Sequence, residues 1–191
     1  MKNLPIGLKG YFIDKRDGRL YHTVVMPDGK EWMAENLAYN SGDGCFAYDN
    51  EPANVDKYGR LYTWDAAVKA CPAGWRLPND NDWDALFSAV GSSAGSKLKS
   101  QTGWNTGSGY IPGTDEFSFS ALPGGGRWSD GDFNNVGNYG FWWSATEDGA
   151  GYAHSRDMIY NFEIVYSLWY GKSHGLSVRC LREAEQQNEN S

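Results

Sequence analysis

The sequence is poor in the residues that build metal centres and phosphate sites. Cysteine and histidine occur three times each in 191 residues. Cys45, Cys71 and Cys180 share no Cys-x-x-Cys spacing, and His22, His154 and His174 lie far apart, which argues against zinc. Basic charge is short as well. With 17 Lys and Arg against 24 Asp and Glu, the formal charge of −7 is the wrong sign for displacing counterions from nucleic acid. Helix-favouring Ala, Leu and Lys are sparse, which excludes a helical bundle. No uninterrupted apolar run reaches the length of a membrane span, and the opening Met1-Lys2-Asn3-Leu4-Pro5-Ile6-Gly7 lacks a signal h-region. Direct membrane insertion is therefore not expected. Export would need a signal already removed, or delivery on a larger assembly such as a phage particle.

What is abundant is glycine (24) and aromatic side chains (9 Trp, 12 Tyr, 8 Phe), the composition of short strands, tight turns and many loops. The length suits one core, taken as a single domain over 10–183 between an N-terminal arm (1–9) and a polar tail (184–191) expected to be disordered. Residues 10–33 read as strands around turns at Asp17-Gly18 and Pro27-Asp28-Gly29, and 40–57 as an irregular surface loop. Leu61, Trp64, Ala67, Val68 and Cys71 recur at helical spacing and predict a first helix, ended by Pro72 and Gly74. Trp83, Leu86, Phe87 and Val90 predict a second, capped near Asp80 or Asn81, with all four in the core. A strand is expected at Phe117–Ala121, then four more at about Phe141–Thr146, Tyr152–Tyr160, Ile164–Trp169 and Leu176–Leu181. This is an α+β plan whose termini meet in one sheet. Trp75, Trp83 and Trp143 read as core residues, and Trp83→Ala is expected to cost about 3–5 kcal/mol. A Cys71–Cys180 bridge would close a loop of about 110 residues and contribute on the order of 4 kcal/mol. The odd cysteine count leaves two separate buried thiols equally open.

No catalytic signature emerges. None of the three histidines sits in a motif that would support a Ser-His-Asp site. Gly124-Gly125-Gly126 follows Pro123 and is not succeeded by a phosphate-binding Lys-Ser/Thr.

The ordered motifs Asp14–Tyr21, Glu31–Leu37, Tyr58–Trp64, Cys71–Pro78, Leu98-Lys99-Ser100, Phe119–Gly125, Trp143-Ser144 and Ser177-Val178-Arg179-Cys180 resemble the Fibrobacter succinogenes major paralogous domain family over residues 10–182. The resemblance implies a C-type-lectin-like fold related to the formylglycine-generating enzymes, in bacterial surface proteins. The family often carries a second cysteine near Val55 as partner for one like Cys45. Its absence here implies that Cys45 is unpaired and that Cys71 and Cys180 form the disulfide. The segment Phe141–Cys180 is also similar in layout to the variable regions of retroelement-diversified proteins.

That layout places Met158 and Tyr160 on the scaffold side, with Ser155, Asp157, Ile159 and Asn161 outward. Joined by Tyr152, Trp169, Tyr170, Ser173, His174 and Leu176, these form the expected ligand-binding surface, its large aromatics and small polar groups suiting recognition. Replacing Asp157, Tyr170 and His174 together is then expected to weaken binding while sparing stability. The reading is a non-catalytic adhesin or receptor-binding module, extracellular, cell-surface or phage-borne, that meets a protein or glycan on a cell surface without a cofactor. A calcium-dependent lectin is the alternative, which leaves calcium as the one cofactor open. Its support is two imperfect echoes of lectin calcium motifs, Glu51-Pro52-Ala53-Asn54 and Trp128-Ser129-Asp130. A divergent oxidase of the formylglycine-generating type comes third, because Cys180 lacks a second thiol nearby in sequence.

Overall fold

A computed structural model describes residues 6, 7 and 9–184. The rest of the expected arm and tail lies outside these residues. Within them, Gly7 already donates to the Val25 carbonyl (2.8 Å) and Lys9 opens the first strand.

The chain begins with β1 (Lys9–Ile13), β2 (Leu20–Val25), β3 (Lys30–Met33) and β4 (Cys45–Phe46). Helix α1 (Ala53–Tyr58), strand β5 (Leu61–Tyr62) and helices α2 (Trp64–Ala70), α3 (Asp80–Val90) and α4 (Ala94–Leu98) follow. After a long loop come β6 (Gly126–Arg127), β7 (Phe133–Asn134), β8 (Tyr139–Asp148), β9 (Tyr152–Ile159), β10 (Tyr166–Gly171), β11 (Leu176–Ser177) and β12 (Leu181–Glu183). One sheet has the order β1-β2-β3-β12, so the first and last strands share a sheet; a second runs β10-β9-β8-β11-β5-β4, and β6 pairs with β7 in a two-stranded sheet. The mixed α+β class agrees with the sequence reading.

Local chemistry explains the elements read correctly. Gly18 and Gly29 take the left-handed conformation their turns require (φ 77° and 81°) and close them by bonds to Asp14 and Met26. For α3, the Asn79 side chain accepts from Asp82 N–H, while the Asp82 carboxylate accepts from Asn79 N–H. Gly91 ends the helix with its N–H on the Phe87 carbonyl. Trp83, Leu86 and Val90 are buried with Trp32, Phe119, Trp142 and Met158, and Phe87 packs against them half-buried.

Five expectations are corrected. Leu61 and Tyr62 are strand, because both are buried between β4 and β11, and the helix starts only at Trp64. The expected loop 40–57 contains β4 and α1. Phe117–Ala121 is not a strand: Ser118 and Ser120 have φ of 58° and 53°, and the Asp115 carboxylate curls the chain by accepting from Ser120 N and Oγ (both 2.7 Å). Leu176–Leu181 is not continuous either. It crosses from one sheet to the other, with Arg179 fully buried in the passage. Four α-helices form among the described residues where two were expected.

Cys71 and Cys180 are disulfide-bonded and Cys45 is a free thiol. The bridge joins the end of α2 to the inter-sheet passage.

Candidate functional site at the outer edge of the long sheet

Strand β9 is central, paired with β8 and β10, and residues directly opposite in register share a face. On one face Asp157 lies between Phe141 and Tyr166, and Ser155 between Trp143 and Leu168. On the other, Arg156 lies between Trp142 and Ser167, and His154 faces Trp169. Alternation therefore groups the residues as expected, but both faces are covered. Helix α3 and its cluster cover the Arg156 face; Trp128, packed on Phe141 and Tyr170, covers the other.

Three expected surface residues are consequently inside. Ser155 and Leu176 are fully buried and Asp157 is 1% exposed. Ser155 Oγ and Tyr170 OH each donate to Asp157 at 2.8 Å. Burial drives the Asp157 carboxyl up to about 6, against these hydrogen bonds and the Arg156 charge, which act to lower it. Tyr170 is half-buried, stacked on Trp128 at 5.8 Å, and His174 meets Trp128 edge-on at 5.3 Å. Replacing Asp157, Tyr170 and His174 together would strike a packed network, so unchanged stability is no longer expected. Ile159 and Asn161 are half-buried, Met158 is fully buried on the scaffold side, and Ser173 is exposed.

What remains outward is concentrated on the edge strand β10 and what flanks it. Tyr152 is 53% and Trp169 58% exposed, joined by Phe162, Ile164 and Leu168. Tyr152, His154 and Trp169 share a face by register, whereas Tyr170 points to the opposite one.

Beneath Trp169 the sequence reading missed a polar assembly. His154 Nδ1 is bonded to Asp80 at the start of α3, Ser144 Oγ donates to the same carboxylate (2.6 Å), and Arg156 Nη1 lies 3.2 Å from it. Burial works to raise the Asp80 pKa, but the Ser144 and His154 hydrogen bonds and the Arg156 charge outweigh it and hold the carboxyl below its usual range. Arg156 also reaches Asp84 (3.0 Å), while its buried Nε has no partner among the described residues. The His154 side chain is one-third exposed, its ring oriented by Asp80. Only a cross-strand register, which no local motif reports, could have paired His154 with Trp169.

A sequence model of the Fibrobacter succinogenes major domain matches residues 25–182. The chain belongs to that family. No curated protein and no solved structure matches it significantly.

In this Fibrobacter succinogenes major domain, the motifs that carried the resemblance hold the fold together. Asn36 Oδ1 accepts from Trp142 Nε1 (2.8 Å) and Arg179 Nη2 (2.9 Å), while its amide donates to the Tyr58 carbonyl (2.8 Å). Arg179 also donates to the carbonyls of Met33 (3.1 Å) and Phe119 (2.6 Å). Lys99, fully buried, donates to the carbonyls of Ile111, Ile159 and Phe162 at 2.9–3.2 Å. Burial lowers its pKa to about 8. Lys99 thereby fixes the end of β9 and the turn into β10, which carries Trp169.

In the two echoes of calcium motifs, Asn54 Nδ2 donates to the Tyr48 carbonyl (3.0 Å), and Trp128 N–H and Asp130 Oδ1 close the β6–β7 turn by bonds to Asp132. Among the described residues no group of three or more His, Cys, Asp or Glu is placed to hold a metal ion, and no helix is long and apolar enough to cross a membrane.

Proposed function

We propose that this domain is a non-catalytic recognition module, an adhesin or receptor-binding unit of C-type-lectin-like architecture, that reads a protein or glycan ligand with the β9–β10 edge. What carries the reading is the set of exposed apolar side chains along this edge, Tyr152 and Trp169 on one face, Leu168 on the other, and Phe162 and Ile164 in the connection between β9 and β10. Large aromatics on a fixed frame give contact area at low entropic cost, and such residues dominate binding energy where they occur. The Asp80-oriented His154 supplies a directional polar contact beside Trp169. A cell-surface, extracellular or phage-borne setting suits such a module, and retroelement diversification would vary residues 139–180 among near-identical genes.

The test is binding of the intact chain to a glycan array and a panel of fixed bacterial cells. The double variant Tyr152→Ala/Trp169→Ala is expected to keep its stability within about 0.5 kcal/mol and to weaken binding by roughly 30-fold or more. Equal binding by wild type and the double variant would remove the edge as the recognition surface.

A further inference from the structure

A second concavity lies apart from this edge, between the outer side of the β1–β2–β3 sheet and the loop spanning residues 100–122. It encloses about 430 Å³, within the ~300–1,000 Å³ range of small-molecule sites, and its lining includes Lys9, His22, Glu35, Thr102, Ser118 and Leu122. Glu35 is oriented by its neighbour: Oε2 accepts His22 N–H (3.1 Å) and Oε1 pairs with His22 Nδ1 (3.0 Å). Both oxygens retain lone pairs for further donors. The Thr102 and Ser118 hydroxyls make no hydrogen bond among the described residues, and neither does His22 Nε2. Tyr11 is directly opposite His22 in register and 67% exposed, so its ring stands on the same side of the sheet.

The far wall is held in a costly conformation. Asp115, Ser118 and Ser120 all occupy the left-handed region (φ 49°, 58° and 53°), which side chains other than glycine rarely adopt. Arg179, buried behind them, donates to the Phe119 carbonyl, and Asp115 takes both Ser120 donors. The hydroxyl-bearing wall is thus fixed before any ligand arrives.

The lining selects a chemistry. Glu35 repels an anion and Lys9 opposes a cation, leaving a neutral ligand favoured. A fixed carboxylate accepts two adjacent hydroxyls, Thr102 and Ser118 each donate and accept, and Leu122 offers a surface for aliphatic C–H groups. We propose that this cavity binds a neutral hexose, free or at the end of a glycan, without calcium and independently of the Trp169 edge.

The experiment is saturation-transfer NMR on the intact chain with D-glucose, D-galactose, D-mannose and N-acetylglucosamine at millimolar concentration, with and without EDTA. At least one sugar should receive transfer that EDTA leaves unchanged. Glu35→Gln should weaken that binding by about tenfold or more, and Trp169→Ala should leave it intact. Should Glu35→Gln fail to fold, Thr102→Val, at an exposed position, carries the same expectation of weaker binding. Absence of transfer from all four sugars, EDTA sensitivity, or transfer that survives the cavity variants would overturn the proposal. Loss in Trp169→Ala alone would overturn it too, by moving the sugar to the edge.

Discussion

Asp157 shows how one side chain's surroundings set its behaviour. Its folded pKa of about 6 stands above the ordinary 3.8, so between those values the native state holds a proton that the unfolded chain releases. The contribution of this group is therefore full below about pH 4 and is lost as pH rises through about 6. Asp14, Asp80 and Asp82 have the opposite sign. Burial opposes their ionisation, but Arg16, the Ser144–His154 pair, and Arg76 with Lys30 hold them below the usual range. Their contribution is lost only as pH falls below about 4. Asp28, whose carboxyl is also raised by burial, shares the Asp157 window, so Asp157 is isolated by comparing a variant with the wild type. Asp157→Asn keeps an acceptor for Tyr170 but cannot ionise. Relative to the wild type it should gain up to about 3 kcal/mol between pH 4 and 7, measured by urea denaturation at stepped pH. A difference that stays flat across that interval would mean the carboxyl ionises normally.

At the scale of an element, α3 shows what local sequence determines. Its cap, its buried spacing and its terminating glycine all lie within Asn79–Gly91, so no distant information was needed to find it. Trp83 is fully buried against Trp32 at 4.8 Å and Phe87 at 5.7 Å, yet its indole N–H has no partner among the described residues. Trp83→Ala should cost about 3–5 kcal/mol. Trp83→Phe should cost less than half of that, because it keeps ring contact and removes an unsatisfied donor. Comparable losses in the two melts would show that the indole's shape, rather than its burial, carries the stability. Strands β8, β9 and β10 were legible for a similar reason, as runs of strand-forming residues separated by turns. Leu61–Tyr62 was not, because its strand pairing is with Cys45–Phe46 and Leu176–Ser177, far along the chain. The same limit hid the burial of Ser155 and Asp157. Alternation says which residues of a strand share a face, but not that each face of β9 is packed over, which α3 on one side and Trp128 on the other decide. The exposed set survived where it fell on the edge strand, at Trp169, and at the end of β9, at Tyr152.

Across the whole molecule the two sheets are joined at the Ser177–Cys180 passage, where Leu37 N–H donates to the Val178 carbonyl and Met33 N–H to that of Cys180. The disulfide reinforces this joint by tying it to the end of α2, across a separation of 109 residues. In the chain-entropy account, closing so long a loop restricts the unfolded ensemble and contributes on the order of 4 kcal/mol. The long-sheet edge depends on it only indirectly, since β8, β9 and β10 pair among themselves and Lys99 fixes their turn from within. Urea unfolding of a Cys45→Ser background, which removes thiol exchange, should therefore lose about 4 kcal/mol in the presence of a phosphine reductant. Tryptophan fluorescence and ligand binding below the transition should be unchanged. Loss of edge binding while the reduced chain remains folded would mean that the inter-sheet joint sets the geometry of β10, and that recognition and covalent closure are coupled through the passage holding Arg179.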